Sequence, residues 1–256
     1  MELKPLKILP SLLYFGLPAA LFVAGFWGLM PWLIEQGMLP YFAYMLGLGI
    51  PLTIMFLASL LWLRLEGRDL SWISLKERFR LRPMDRGDWL WSLGALVAGS
   101  LIGFALVSMF SDWLIQAGLI PFPAQLPDFL TPGVIEDPRK VYIEAAGGLR
   151  GNWLLLIGML ILFFINIMGE ELWWRGVVLP RQELAFGDWT WVVHGLMWAF
   201  FHIFKWWDVL DLLPITLALS FVASKRRSTT TGIVIHGVTN GIALIPLFLG
   251  VVGLIQ

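Results

Sequence analysis

Runs of apolar residues separated by short charged stretches set the pattern of this chain. Residues 11–34, 40–63 and 89–111 carry no acid, base or histidine. Residues 153–169 are apolar up to a pair of glutamates, and 189–204 hold two histidines but no acid or base. Residues 206–224 have Asp208 and Asp211 near their start, and 229–255 contain one histidine. A bilayer-crossing helix needs about 20 such residues. The pattern therefore predicts an all-α polytopic membrane bundle of about seven transmembrane helices, with a range of six to eight. Six is the alternative if the first run lies along the interface.

Composition narrows the class. Of 256 residues, 58% are hydrophobic and 14% charged, and the mean hydropathy is +0.77. A soluble domain carries roughly 25% charged residues, and disordered chains are charge-rich and poor in aromatics, so both classes are excluded. Formal net charge is zero, which gives no basis for binding nucleic acid. There is no cysteine, so thiol nucleophiles and Cys-ligated zinc are absent. The first apolar run is too long for a signal-peptide core and is expected to be retained.

Placement of the bases predicts orientation. With a cytoplasmic N-terminus, fourteen of the eighteen bases fall inside: Lys4, Lys7, seven from Arg64 to Arg86, Arg175, Arg181 and Lys225 to Arg227. Arg139, Lys140, Arg150 and Lys205 remain outside. Residues 64–88 read as a cytoplasmic connector with a short amphipathic helix around 70–79. Residues 112–152, with Pro121, Pro123, Pro127, Pro132 and Pro138, read as an extramembrane loop. The whole chain, 1–256, reads as a single integral membrane domain. Its expected location is the cell membrane of a bacterium or archaeon.

Ionisable groups inside a bilayer are costly and mark function by default. Here they gather in three places. Glu170 and Glu171 end the fourth run; on a helix Glu171 pairs with Arg175 four residues on, and Glu170 points about 100° away toward a polar cavity. Asn166, one turn earlier, extends the Glu170 face. His202 lies in the fifth run, two turns beyond His194 and rotated from it by about 80°. His236 and Asn240 share a face of the last run. An interfacial Glu/Arg cluster and packed histidines are the plainer reading of each motif alone.

Taken together, one carboxylate, two imidazoles and an amide suit hydrolysis. A carboxylate in a low-dielectric pocket acts as general base on water, and imidazole and amide N–H groups stabilise an oxyanion. No cofactor is required. Zinc held by Glu170, His202 and His236 is the alternative, though there is no His-Glu-x-x-His. A proton relay through His194, Glu170 and Asp211, as in a transporter, is a further alternative.

The ordered set Glu170-Glu171-x-x-x-Arg175, aromatic-x-x-x-His202 and His236-x-x-x-Asn240 resembles the CPBP family. That family comprises type II CaaX prenyl proteases and bacteriocin-processing or immunity enzymes, called Abi in bacteria. The resemblance covers roughly residues 150–250, as a catalytic core. It implies an intramembrane endopeptidase acting on a membrane-associated protein or peptide, with a cavity opening toward the cytosol. It also implies that Glu170 and His202 activate water, that His236 and Asn240 form the oxyanion site, and that Glu171 and Arg175 support them. A non-enzymatic scaffold or immunity protein of the same fold is the alternative. Where the family usually has phenylalanine this chain has Trp174 and Trp198, the latter expected only to reshape a wall of the pocket. Counted from the helix ends, Glu170 lies toward the cytoplasm and His202 past mid-span, a mismatch on the order of 10–15 Å in depth that tilt, or a fourth helix running beyond the membrane face, would absorb.

Overall fold

Each apolar run folds as a helix because only a helix satisfies its own backbone in a lipid interior. The computed structural model describes residues 3–123, 126–131, 141 and 145–254, with backbone alone at 104 and 105. Pro132, Pro138, Arg139 and Lys140 of the expected loop lie outside the described residues. No strand occurs among the described residues.

Helix α1 (Ile8–Glu35) contains a π turn at Gly25–Leu29. It is followed by α2 (Pro40–Leu65), which begins on a proline, and by the short α3 (Trp72–Arg78), N-capped by Ser71. Helix α4 (Arg86–Ile102) passes through a π turn (Gly103–Val107) into α5 (Ser108–Gln116). Helix α6 (Trp153–Glu171) runs through a π turn (Leu172–Val178) into α7 (Leu179–Phe186). Helices α8 (Thr190–Phe201) and α9 (Val209–Arg226) are joined by a 3-10 segment in which Lys205 leaves helical geometry. Helix α10 (Thr229–Gly241) bends by 51° into α11 (Leu244–Val251). Among the described residues three stretches are long and apolar enough to cross a membrane, Ile8–Glu35, Pro40–Leu65 and Trp153–Arg226; the bent pair makes a fourth if counted as one span.

The fourth helix runs on past the end of its apolar run at 169, one of the two ways of absorbing the mismatch in depth. Glu170 and Glu171 do not end it, because the chain continues helical to Phe186. Glu170 therefore lies 16 residues before that end, about 24 Å along a helix, and is 2% exposed. The apparent difference in depth came from taking the first charge as the membrane face.

Base-bearing segments meet at one end of the bundle. The Leu6 N–H donates to the Arg181 carbonyl (2.8 Å), and Arg80 forms a two-pronged pair with Glu183 (3.0 and 2.7 Å). The Thr229 N–H donates to the Arg80 carbonyl (3.2 Å). Arg82 and Arg226 both grip Asp88 (2.6 Å each), at the capping box that starts α4. Burial pushes the Asp88 carboxyl up, but these guanidinium donors and the Asp85 backbone N–H outweigh it and hold the group at about 2. At the same end the expected short helix over 70–79 forms as α3, and this segment exposes Leu70, Trp72 and Ile73 and buries Arg78 and Phe79. At the opposite end Trp206 donates to the Pro121 carbonyl (2.6 Å), Tyr41 stacks on Phe129 (4.6 Å between centroids), and the Gly151 N–H donates to the Val251 carbonyl (2.8 Å).

The core between the ends is aromatic. Phe15 of α1 stacks on Trp174 (4.3 Å), and Phe22 meets Phe201 edge-on (4.9 Å). Gly169 lets α6 touch α2: a Cβ there would lie 2.7 Å from the Leu52 carbonyl oxygen. That close approach seats the glutamate pair in the middle of the bundle.

Candidate active site

Three helices deliver the polar groups, and hydrogen bonds link them into one chain. The Asn166 amide donates to Glu170 Oε1 (2.9 Å), and the Asn240 amide donates to Asn166 Oδ1 (2.8 Å). Asn240 Nδ2 also lies 3.1 Å from His236 Nε2, and His236 Nδ1 lies 3.0 Å from Glu171 Oε1. An amide nitrogen only donates. His236 Nε2 is therefore the acceptor, and its Nδ1–H donates to Glu171. Arg175 Nη1 closes the chain on the same Glu171 oxygen (3.0 Å). Neighbouring glutamates about 100° apart around α6 are thus connected through two asparagines and a histidine.

The two carboxylates have different partners, as the 100° separation predicts. Glu171 and Arg175 are fully buried and paired. Glu170 is held by neutral donors: Asn166 on one oxygen, and the indole N–H groups of Trp198 (2.8 Å) and Trp174 (3.3 Å) on the other. Trp198 is therefore more than a wall residue. Its ring lies under the Arg175 guanidinium, 3.7 Å from the centroid, while its N–H reaches Glu170. A phenylalanine at 174 or 198 keeps a ring but has no N–H to donate.

Glu170, Asn166, Trp198, His202, His236, Thr239 and Asn240 all line one cavity of about 740 Å³, whose other walls are largely apolar and aromatic. His202 joins the site through this cavity and makes no hydrogen bond to Glu170 among the described residues. Its Nδ1 lies 2.9 Å from the Trp198 carbonyl oxygen, so Nδ1 carries the proton and Nε2 is the acceptor.

His194 is elsewhere. Its Nδ1–H donates to Gln182 (2.6 Å), whose amide donates to Ser11 (3.0 Å), and its ring meets Phe15 edge-on. It ties α1, α7 and α8 together and does not line the cavity, so the relay of His194, Glu170 and Asp211 is not assembled. Among the described residues no group of three or more His, Cys, Asp or Glu is placed to hold a metal ion. Both ring nitrogens of His236 have protein partners, Asn240 at Nε2 and Glu171 at Nδ1.

One residue of the site escaped the sequence reading. Gly232 lies one turn before His236, and a Cβ there would come 2.2 Å from Glu171 Oε2. Its signal was the same four-residue spacing that joins His236 to Asn240. Gly232→Ala is expected to displace the Glu171 carboxylate from Arg175 and His236, costing about 1–3 kcal/mol, the usual range for overpacking a buried site. Gly237→Ala on the same helix, where a Cβ meets nothing within 4 Å, is the control. Thermal unfolding in detergent is expected to separate the two variants, with only Gly232→Ala destabilised.

No curated protein and no solved structure matches the chain. A family model does match, over residues 152–242, the segment that carries α6 to α10 and every polar side chain of the hydrogen-bonded chain. The family it describes is the Rce1-like, type II CAAX prenyl endopeptidase family, which agrees with the CPBP resemblance of the three motifs.

Proposed function

We propose that this multi-pass membrane protein is an intramembrane endopeptidase that hydrolyses a peptide bond with water activated by Glu170. The observation that carries the reading is the division between the two glutamates. Arg175 compensates Glu171, whereas Glu170 faces the cavity and is oriented by neutral donors alone. A carboxylate positioned in this way keeps its capacity to take a proton.

The proposed sequence of events uses only groups lining the cavity. Water between Glu170 and the acceptor Nε2 of His202 loses a proton to Glu170 as its oxygen attacks the scissile carbonyl carbon. The carbonyl π electrons move to oxygen, and the oxyanion is met by Asn240 and His236. The amide N–H groups of Asn240 are occupied by Asn166 and His236 before substrate arrives, so the substrate oxygen takes over one of them. A proton taken from solvent water at His236 Nε2 before attack, opposite the Nδ1–H that Glu171 accepts, makes the imidazole a second donor, and His236 retains it when the intermediate collapses. Collapse of the intermediate breaks the C–N bond, and Glu170 returns its proton to the leaving amine. The substrate is a membrane-associated protein or peptide.

Two variants test the reading on a membrane-anchored reporter peptide with purified protein. Glu170→Gln is expected to lower kcat by about 10²–10⁴-fold, the range for loss of a general base. Wild-type activity is expected to persist in a chelator. Full activity in Glu170→Gln overturns the proposal, and chelator loss restored by zinc replaces it with a metal mechanism. Trp198→Phe retains the ring over Arg175 but removes one donor to Glu170. It is expected to lower kcat about tenfold with little change in KM, the equivalent of one charge-assisted hydrogen bond at the low end of its range.

A further inference from the structure

We infer that the outer face of α3 is a binding surface for anionic phospholipid headgroups. It is formed by Trp72, Ile73 and Lys76, with Leu70 just before the helix and Arg64 in the last turn of α2. None of these residues lines the cavity that holds Glu170, so the surface is separate from the candidate active site.

Chain connectivity holds α3 at the depth of the membrane surface. Helix α2 exposes Leu57, Leu61 and Leu65, a stripe of residues four apart that faces lipid down to the end of the helix. At the same end α1 opens with exposed Ile8 and Leu9, and α4 with exposed Trp89 and Leu90. Helix α3 begins seven residues after Leu65, at most about 25 Å of extended chain. Arg78 then ties it back to the end of α2, where its Nη2 donates to Glu66 Oε1 (2.7 Å). The helix therefore lies where the lipid-facing surfaces of its neighbours stop.

The two faces of this segment differ in kind. Arg78 and Phe79 are buried: Arg78 donates to the Gly176 carbonyl (2.6 Å), and the Phe79 ring packs on Gly176. On the other side Trp72, Lys76 and Ile73 fall within about 100° of one another around the helix. Trp72 is 65% exposed and Ile73 71%, and Leu70 is exposed beside them. Clustered apolar side chains of this kind mark a membrane or protein contact. Tryptophan is enriched at the headgroup level, and a lysine there lays its stem on apolar surface and keeps its ammonium among the headgroups.

Charge selects the headgroup. Among the described residues at this end, Lys4, Lys7, Arg64, Arg86, Lys225 and Arg227 are exposed and form no ion pair, and half-buried Lys76 forms none either. The exposed acids there without an ion pair are Asp69 and Asp188, and Asp69 already accepts from Ser71. A cluster of bases on and beside an amphipathic segment at the end of a span attracts anionic lipid. A zwitterionic lipid satisfies the apolar contact and leaves the charge unmatched. Because the inner face is fastened to Gly176, five residues beyond Glu171, headgroups bound outside brace the π turn that follows the two glutamates.

The chain has no cysteine, so a single label reports this face. Full-length Ile73→Cys carrying a fluorophore is reconstituted into phosphatidylcholine vesicles. The vesicles contain equal mole fractions of a lipid spin-labelled near the top of its acyl chain, either phosphatidylglycerol or phosphatidylcholine. In 0.1 M salt the anionic lipid is expected to quench at least threefold more strongly. In 1 M salt, where the screening length is about 3 Å, the two are expected to quench alike. Adding Arg64→Gln and Lys76→Gln is expected to remove most of the preference while phosphatidylcholine still quenches. Leu119→Cys, exposed at the opposite end of the bundle, is expected to show no preference. Equal quenching of the label at 73 by the two lipids in 0.1 M salt overturns the inference. The same preference at 119 overturns it too, because the attraction is then not local. Quenching by neither lipid, with iodide reaching the label from water, also overturns it and leaves the face to a protein partner.

Discussion

A charged carboxylate in the apolar middle of a helical bundle requires hydrogen-bonding or ionic partners, and this protein buries two of them on consecutive residues. The groups around Glu170 and Glu171 meet much of that requirement. Arg175 and His236 both bind Glu171 Oε1, its Oε2 lies against Gly232 with no hydrogen-bond partner among the described residues, and two asparagines carry the chain of hydrogen bonds back to Glu170. Tryptophans from α8 and the π turn fill the remaining donor positions at Glu170. Removing one partner of a buried pair typically costs about 3–5 kcal/mol because the other charge is left uncompensated. The network therefore treats the two acids differently: the Glu171–Arg175 ion pair is fully buried in the bundle, and Glu170 lines the cavity.

The π turn at Leu172–Val178 contributes to this arrangement. It widens the helix immediately after the glutamates, in the stretch that places Trp174 against Glu170 and Arg175 against Glu171. The Gly176 carbonyl within it accepts from Arg78, so the basic connector is fastened to the helix that bears the site. Phe79 packs on Gly176 so closely that a Cβ there would lie 2.7 Å from the ring.

Much of the arrangement was legible in the sequence where it rests on one helix. Residues four apart share a face, which is how Glu171 with Arg175 and His236 with Asn240 were paired, and how Glu170 was turned toward the cavity. Helix existence followed from apolar runs, and their ends at Pro40 and at the Asp85–Asp88 cap are local chemistry. Contacts between helices were not legible, because spacing says nothing of what lies across a groove. The indole N–H of Trp198 on Glu170, the link from Asn240 to Asn166 and the contact of Gly232 with Glu171 all required the packed bundle. How far the fourth helix runs past its apolar stretch was left open between tilt and a longer helix for a related reason. A charge usually marks the membrane face, but here the charges are buried and the helix continues to Phe186.

The division of labour between the two glutamates is tested most directly by measuring kcat and the unfolding temperature for Glu170→Gln and Glu171→Gln side by side. Glu170→Gln is predicted to lose turnover while unfolding at or above the wild-type temperature, since it removes an acid with no paired cation. Glu171→Gln is predicted to unfold at a clearly lower temperature, since it leaves Arg175 buried without its counter-charge. The reverse pattern, with turnover retained in Glu170→Gln and stability retained in Glu171→Gln, would contradict the assignment of roles.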